Sequence, residues 1–295
     1  MDTREWQQRL KRTFGGRSGI IGEGLSEVDA SETSLGARYV TTLAGFPVLT
    51  ESYFELAYET LQLVAASTRP PESFEDKFFT AAHLYAFRRA RAGYLLYLRT
   101  HHAESVSLLR GIWELTNSML AVRKGVVSVA ELFGGSPTVS FLPDDPKEQR
   151  KAFKKVIQSA EGRIHTYILG EKSGLSEKAR EKLDGIRETL HQAVHRSNMN
   201  FAHYWLPWVL GRKPLALLQE YDIDVVTLNT NLTWMVLWPL LRTMKYLRPI
   251  LDAPEAGWDD RYGILDDSFR HAIGNFPKES ARAVEEFVRV HFDAT

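Results

Sequence analysis

The 295-residue sequence contains no cysteine. That absence excludes a disulfide framework, a cysteine-ligated zinc or iron–sulfur centre and a thiol nucleophile. Nor does charge of one sign dominate, since 37 Lys and Arg stand against 37 Asp and Glu. No global field therefore draws the chain to DNA or to an acidic membrane, although a local basic patch is compatible with balanced charge. Long apolar runs are missing too. The most apolar stretch, Leu232 to Leu241, is about half of the roughly 20 residues that span a bilayer, and Arg242 and Lys245 follow it. The first residues, MDTREWQQRLKRTF, are charged from the second position and hold no apolar signal core. A soluble, cytoplasmic protein with no membrane partner is the expectation. Phosphate loops and hydrolase elbows are lacking as well. Gly15, Gly16, Gly19, Gly22 and Gly24 fit neither G-x-G-x-x-G nor the P-loop, and no serine sits in a G-x-S-x-G setting.

What is present is the ordinary globular mixture, 44% hydrophobic and 25% charged, which excludes a mainly disordered or fibrous chain. The length suits one large domain or two modest ones. Helical periodicity dominates, and a short alternating stretch, Thr138–Leu142, is the single strand-like signal. A short helix over 3–14 and a loop-rich leading segment to residue 49 precede a helical domain over 50–295. Within it the pattern predicts helices over 50–67, 73–99, 103–124, 146–169, 176 to about 207, 225–250 and 277–291. Ser73 with Asp76, and Ser128 with Glu131, have capping-box spacing, and Asp145 before Pro146 reads as an N-cap followed by proline at the first helical position. Pro239 predicts a kink in the apolar helix. The expected fold is all-α, a bundle of six to eight helices.

On a helical wheel, the 103–124 segment carries two apolar stripes. Val106, Leu109, Trp113 and Leu120 form one, and Leu108, Ile112, Leu115, Met119 and Val122 form the other. A helix apolar on two sides is buried between neighbours. Between the stripes runs a seam with Arg110, Gly111 and Glu114. Arg110 and Glu114 are candidate binding residues, because charges near a core need partners; the plainer account is an i,i+4 ion pair at a wet edge.

The 176 helix places Ala179, Leu183, Ile186, Leu190 and Val194 on one face and Glu188, His191 and His195 on the opposite one. Glu188-x-x-His191 has the spacing of carboxylate-bridged di-metal bundles, and His191 and His195 are i,i+4. A complete di-iron set needs a second such pair plus further glutamates, and none is found. Glu188, His191 and His195 are therefore weak metal candidates, and no cofactor is expected. Arg196 and His203 are separated by six residues. On a continuous helix they project within about 20° of each other. His83 lies on a small-residue face with Ala82, Ala86, Ala90 and Gly93, as a packed histidine would. Arg88, Arg89, Arg91, Arg99, His101 and His102 read as a solvated basic face that could instead hold a phosphate backbone. Trp205, Trp208, Trp234 and Trp238 suit a core or a dimer interface.

The stretch LLYLRTHHAESVSLLRGIWELTNSML resembles a family of uncharacterised bacterial all-helical proteins. Its mark, Leu-Leu-Arg-x-x-x-Glu on the second of two helices, is met here by Leu108, Leu109, Arg110 and Glu114. LHQAVHRS is similar to the family's second mark, Ser-x-x-Val-His-x-Ser: Val194, His195 and Ser197 match, while His191 stands where the serine would be. The family is distantly similar to HEPN-type bundles, whose Arg-x(4–6)-His pattern Arg196 and His203 also fit. The resemblance covers about residues 80–205. It implies a homodimer that binds or cleaves RNA in a defence or toxin role. Arg110 and Arg196 would then contact phosphate, with His195 or His203 as the acid–base group and Glu114 holding Arg110. The alternatives are a non-catalytic interaction or assembly module and a metal-dependent bundle enzyme.

Overall fold

The computed structural model describes residues 45–67, 71–99, 101–135, 145–195, 223–251, 257–274 and 277–293, with a few single positions before Gly45. Among them every regular element is helical and there is no strand. The helices are α1 (Gly45–Ala66), α2 (Phe74–Leu98), α3 (His102–Arg123), α4 (Val129–Leu132), α5 (Pro146–Leu169), α6 (Glu177–His195), α7 (Ile223–Thr243), α8 (Trp258–Gly274) and α9 (Lys278–Val288). Short 3-10 turns at Met244–Tyr246 and Arg248–Ile250 follow α7, and a π turn at Arg289–Asp293 follows α9. The all-α fold is as expected, with nine α-helices among the described residues rather than six to eight. The expected helix over 3–14, the strand-like stretch Thr138–Leu142, and Trp205 and Trp208 lie outside the described residues.

Local chemistry sets the helix ends. Ser73 caps α2 by accepting from the Asp76 amide at 3.0 Å. Ser128 and Glu131 close a reciprocal capping box, with the Ser128 amide donating to Glu131 Oε2 at 2.7 Å. The Asp145 carboxylate accepts from the Lys147 amide at 2.9 Å, and Pro146 opens α5 where no donor is needed. Helix α1 starts at Gly45, ahead of the expected residue 50, because Pro47 is harmless in a first turn and Phe46, Pro47 and Leu49 are all buried. Helix α7 runs through Pro239 to Thr243, and the two 3-10 turns carry the chain on to Ile250 where one helix was expected.

At the centre stands α3, which packs against α2, α5, α6 and α7. Both of its stripes meet neighbours: Leu109, Ile112, Trp113, Met119, Leu120 and Val122 are all buried. Helix α6 buries Ala179, Leu183, Ile186 and Leu190, the face its periodicity marks. Helix α8 was not expected. It lies against α1 and α7 and buries Trp258, Tyr262, Leu265, Phe269 and Ile273, one apolar stripe at helical spacing.

Three buried polar side chains find specific partners across the helices. His83 Nδ1 donates to the Phe79 carbonyl at 2.7 Å, and its Nε2 lies 3.1 Å from the Thr243 hydroxyl. His102, expected on a solvated basic face, is instead buried at 4% exposure, because α3 begins there and Asn229 of α7 donates to its Nδ1 at 3.2 Å. Arg242, 6% exposed, pairs with Asp266 of α8 at 3.1 Å and with Asp293 of the π turn.

Burial depresses two histidines. Desolvation lowers His83 from the usual 6.5 to about 4 and His291 likewise to about 4. Between those values the unfolded chain binds protons that the native state refuses, so stability falls as pH drops through that window. Each histidine is expected to cost about 2 kcal/mol by pH 5 relative to pH 7. Urea unfolding at the two pH values checks this, and a midpoint that stays constant would contradict it.

Candidate functional site

Helices α2, α3, α5 and α6, with the short α4, enclose a half-open cleft of about 610 Å³. Its wall is apolar where the core reaches it, through Trp113, Ile164, Ile168 and Leu190, all buried. Its mouth is charged. Arg89 comes from α2, Arg110 and Glu114 from α3, Glu161 and His165 from α5, and Arg187 and His191 from α6. Two exposed rings, Tyr85 and Phe133, stand beside them.

The i,i+4 spacing on α3 brings Arg110 Nε within 2.7 Å of Glu114 Oε1, with the arginine side chain 20% exposed and the glutamate 58%. Only Nε is engaged by this bond, which orients the guanidinium, and among the described residues no carboxylate pairs with its outer nitrogens. Arg187 is held in the same manner: its Nε donates to Asp184 Oδ1 at 2.8 Å, and that carboxylate lies 4.0 Å from His165 Nε2. Asp184 thus holds Arg187 directly and lies near, without a hydrogen bond to, the imidazole on the facing helix.

Arg89 is built in differently. Its Nη1 donates to the Tyr85 hydroxyl at 2.5 Å, and the guanidinium lies 5.2 Å from that ring's centroid, a cation–π contact. No carboxylate pairs with it among the described residues. A Cβ at position 111 would come within 2.6 Å of Arg89 Nη1. Gly111, beside Arg110 in the seam, is therefore what lets the Arg89 guanidinium rest on α3. Asn117 also lines the cleft, and its buried Oδ1 has no donor partner among the described residues.

The two sequence-marked helices do contribute to one cleft, through Arg110 and Glu114 on α3 and His191 on α6. His191 is exposed, as expected, yet on the cleft rather than on an outer surface. Glu188 is exposed, accepts from Gln192 Nε2 at 3.0 Å and does not line the cleft. Residue His195 ends α6, but its side chain lies outside the described residues, as do Arg196 and His203 altogether. Among the described residues no group of three or more His, Asp or Glu side chains is arranged to hold a metal ion. No helix among them is long and apolar enough to cross a membrane.

Spacing alone leaves Arg89 between a solvated basic face and one that holds a phosphate backbone, and it singles out none of Tyr85, His165 and Arg187. The i,i+4 Tyr85–Arg89 pair was a usable signal, as was a glycine in the middle of a helix that is otherwise closely packed. Comparisons with protein-family models, with curated proteins and with solved structures found no match to the chain.

Proposed function

We propose that this chain is a HEPN-like helical protein that, as a homodimer, binds RNA in the α2/α3/α5/α6 cleft and cuts it there. One observation carries the reading: guanidinium groups from three separate helices, Arg89, Arg110 and Arg187, converge on a single half-open cleft flanked by exposed aromatic rings. Phosphate backbones are held by such cations, and unpaired bases stack on such rings. Glu114 keeps Arg110 oriented, and the imidazoles of His165 and His191 are in the same cleft to move a proton from a ribose hydroxyl. In this reading, as the resemblance implies, Arg196 contacts phosphate and either His195 or His203 is the acid–base group.

A second reading, the non-catalytic interaction module, is favoured by the Arg110–Glu114 bond itself, which is what a packing pair would also form. The two readings separate on one variant. Under the RNA reading, Arg110→Ala weakens binding of single-stranded RNA by about tenfold or more, the worth of a charge-assisted hydrogen bond, with little change in melting temperature. His191→Ala is then expected to slow cleavage and leave binding close to wild type. A lower melting temperature for Arg110→Ala with undiminished RNA binding would overturn the RNA reading in favour of the module.

A further inference from the structure

We infer that the cleft accepts a single nucleotide unit, its phosphate on Arg89 and Arg110 and its base against the apolar wall and Asn117. The inference rests on the RNA reading for the source of that nucleotide, a residue of a strand rather than a free monophosphate. Three features of the cleft call for both halves of such a ligand. First, Arg89 is fixed by Tyr85 and by the space over Gly111, next to Arg110, yet has no carboxylate partner among the described residues. A planar fork held in place with donors to spare is suited to a phosphate's oxygens. Second, the volume of about 610 Å³ and the wall of Trp113, Ile164, Ile168 and Leu190 far exceed what an inorganic anion fills. Clefts of roughly 300–1,000 Å³ are those of organic ligands, and this one sets an apolar wall behind a charged mouth. Third, Asn117 of α3 lines the cleft together with that wall. Its side-chain amide nitrogen can donate to an acceptor on the edge of a base.

Gly111→Ala is the variant that isolates the claim. The new methyl meets only the far end of Arg89, which is free to swing away, and alanine favours the helix more than glycine does. Helix α3 therefore stays folded while the fork leaves its seat. The four 5′-ribonucleoside monophosphates, the matching nucleosides, inorganic phosphate and a single-stranded RNA oligomer are each titrated into wild type, Gly111→Ala, Arg89→Met and Asn117→Leu, with melting temperature recorded for each. At least one monophosphate is expected to bind and to displace the RNA, and to lose about tenfold or more in affinity in Gly111→Ala and Arg89→Met. The melting temperature of Gly111→Ala is expected to stay level or to rise. Asn117→Leu should weaken the monophosphate and the nucleoside but not inorganic phosphate. If RNA binds while no monophosphate binds or displaces it, the single-nucleotide site is wrong and the RNA reading stands. Should a monophosphate bind with those variant effects while RNA does not, the nucleotide site stands and the RNA source is wrong. Displacement of RNA by inorganic phosphate as effective as by any monophosphate overturns the base-holding half, and a lowered melting temperature in Gly111→Ala with full affinity makes the glycine a packing device and overturns the role of Arg89.

Discussion

Asp266→Asn is expected to lose about 3–5 kcal/mol of folding stability, the cost of leaving a buried charge without its partner. Arg242 is 6% exposed and holds α8 through Asp266 at 3.1 Å and the π turn through Asp293. The same Asp266 carboxylate accepts from Trp238 Nε1 at 2.7 Å. Asparagine keeps the shape and one acceptor for Trp238 but removes the charge, so Arg242 retains only Asp293, whose side chain is 41% exposed. The pair as a whole is worth less than its breakage, since removing two buried ions together also removes their desolvation. Arg242→Met combined with Asp266→Leu is therefore expected to be milder than Asp266→Asn alone. Urea unfolding of the three variants reads this directly, and equal losses for the single and double replacements would contradict it.

Phe287→Ala is expected to cost about 3–5 kcal/mol as well, through a cavity rather than a charge. Phe287 of α9 is fully buried, with its ring 5.5 Å from Trp113 and 4.9 Å from His291, centroid to centroid. Trp113 is shared between this contact and the cleft wall. The variant should consequently melt lower and, on the proposed RNA reading, also bind RNA less well, whereas Phe287→Leu, filling much of the space, should recover both in part. Loss of stability with RNA affinity untouched would show that the cleft wall does not depend on its backing.

Much of the fold was legible because helices announce themselves locally. The two stripes of α3, the buried face of α6, the caps at Ser73, Ser128 and Asp145 and the packed His83 all follow from spacing within one turn or two. Helix α8 was legible and missed: Trp258, Tyr262, Leu265, Phe269 and Ile273 carry its periodicity, and Gly263 with a run of aspartates obscures it. The Arg110–Glu114 pair could be read because its partners are four residues apart. Arg242 with Asp266 and Asp293 could not be read that way, because those partners meet only once α7, α8 and the π turn are assembled. The cleft behaves likewise. Its α3 and α6 members were marked, but Arg89 owes its position to a missing Cβ on another helix, and His165 lines the cleft only because α5 packs beside α3 and α6. Those are tertiary facts, and wheel projections of single helices do not contain them.

The most direct test measures the affinity of single-stranded RNA across a salt series for wild type and for the combined Arg89→Ala, Arg110→Ala, Arg187→Ala variant. Each phosphate contact on a single strand contributes about 0.7 to the slope of log affinity against log salt. If the three arginines hold the backbone in one cleft, the wild-type slope is steeper than the variant's by about 2, and affinity falls with it. Identical slopes and affinities for the two proteins would show that the cleft does not bind RNA.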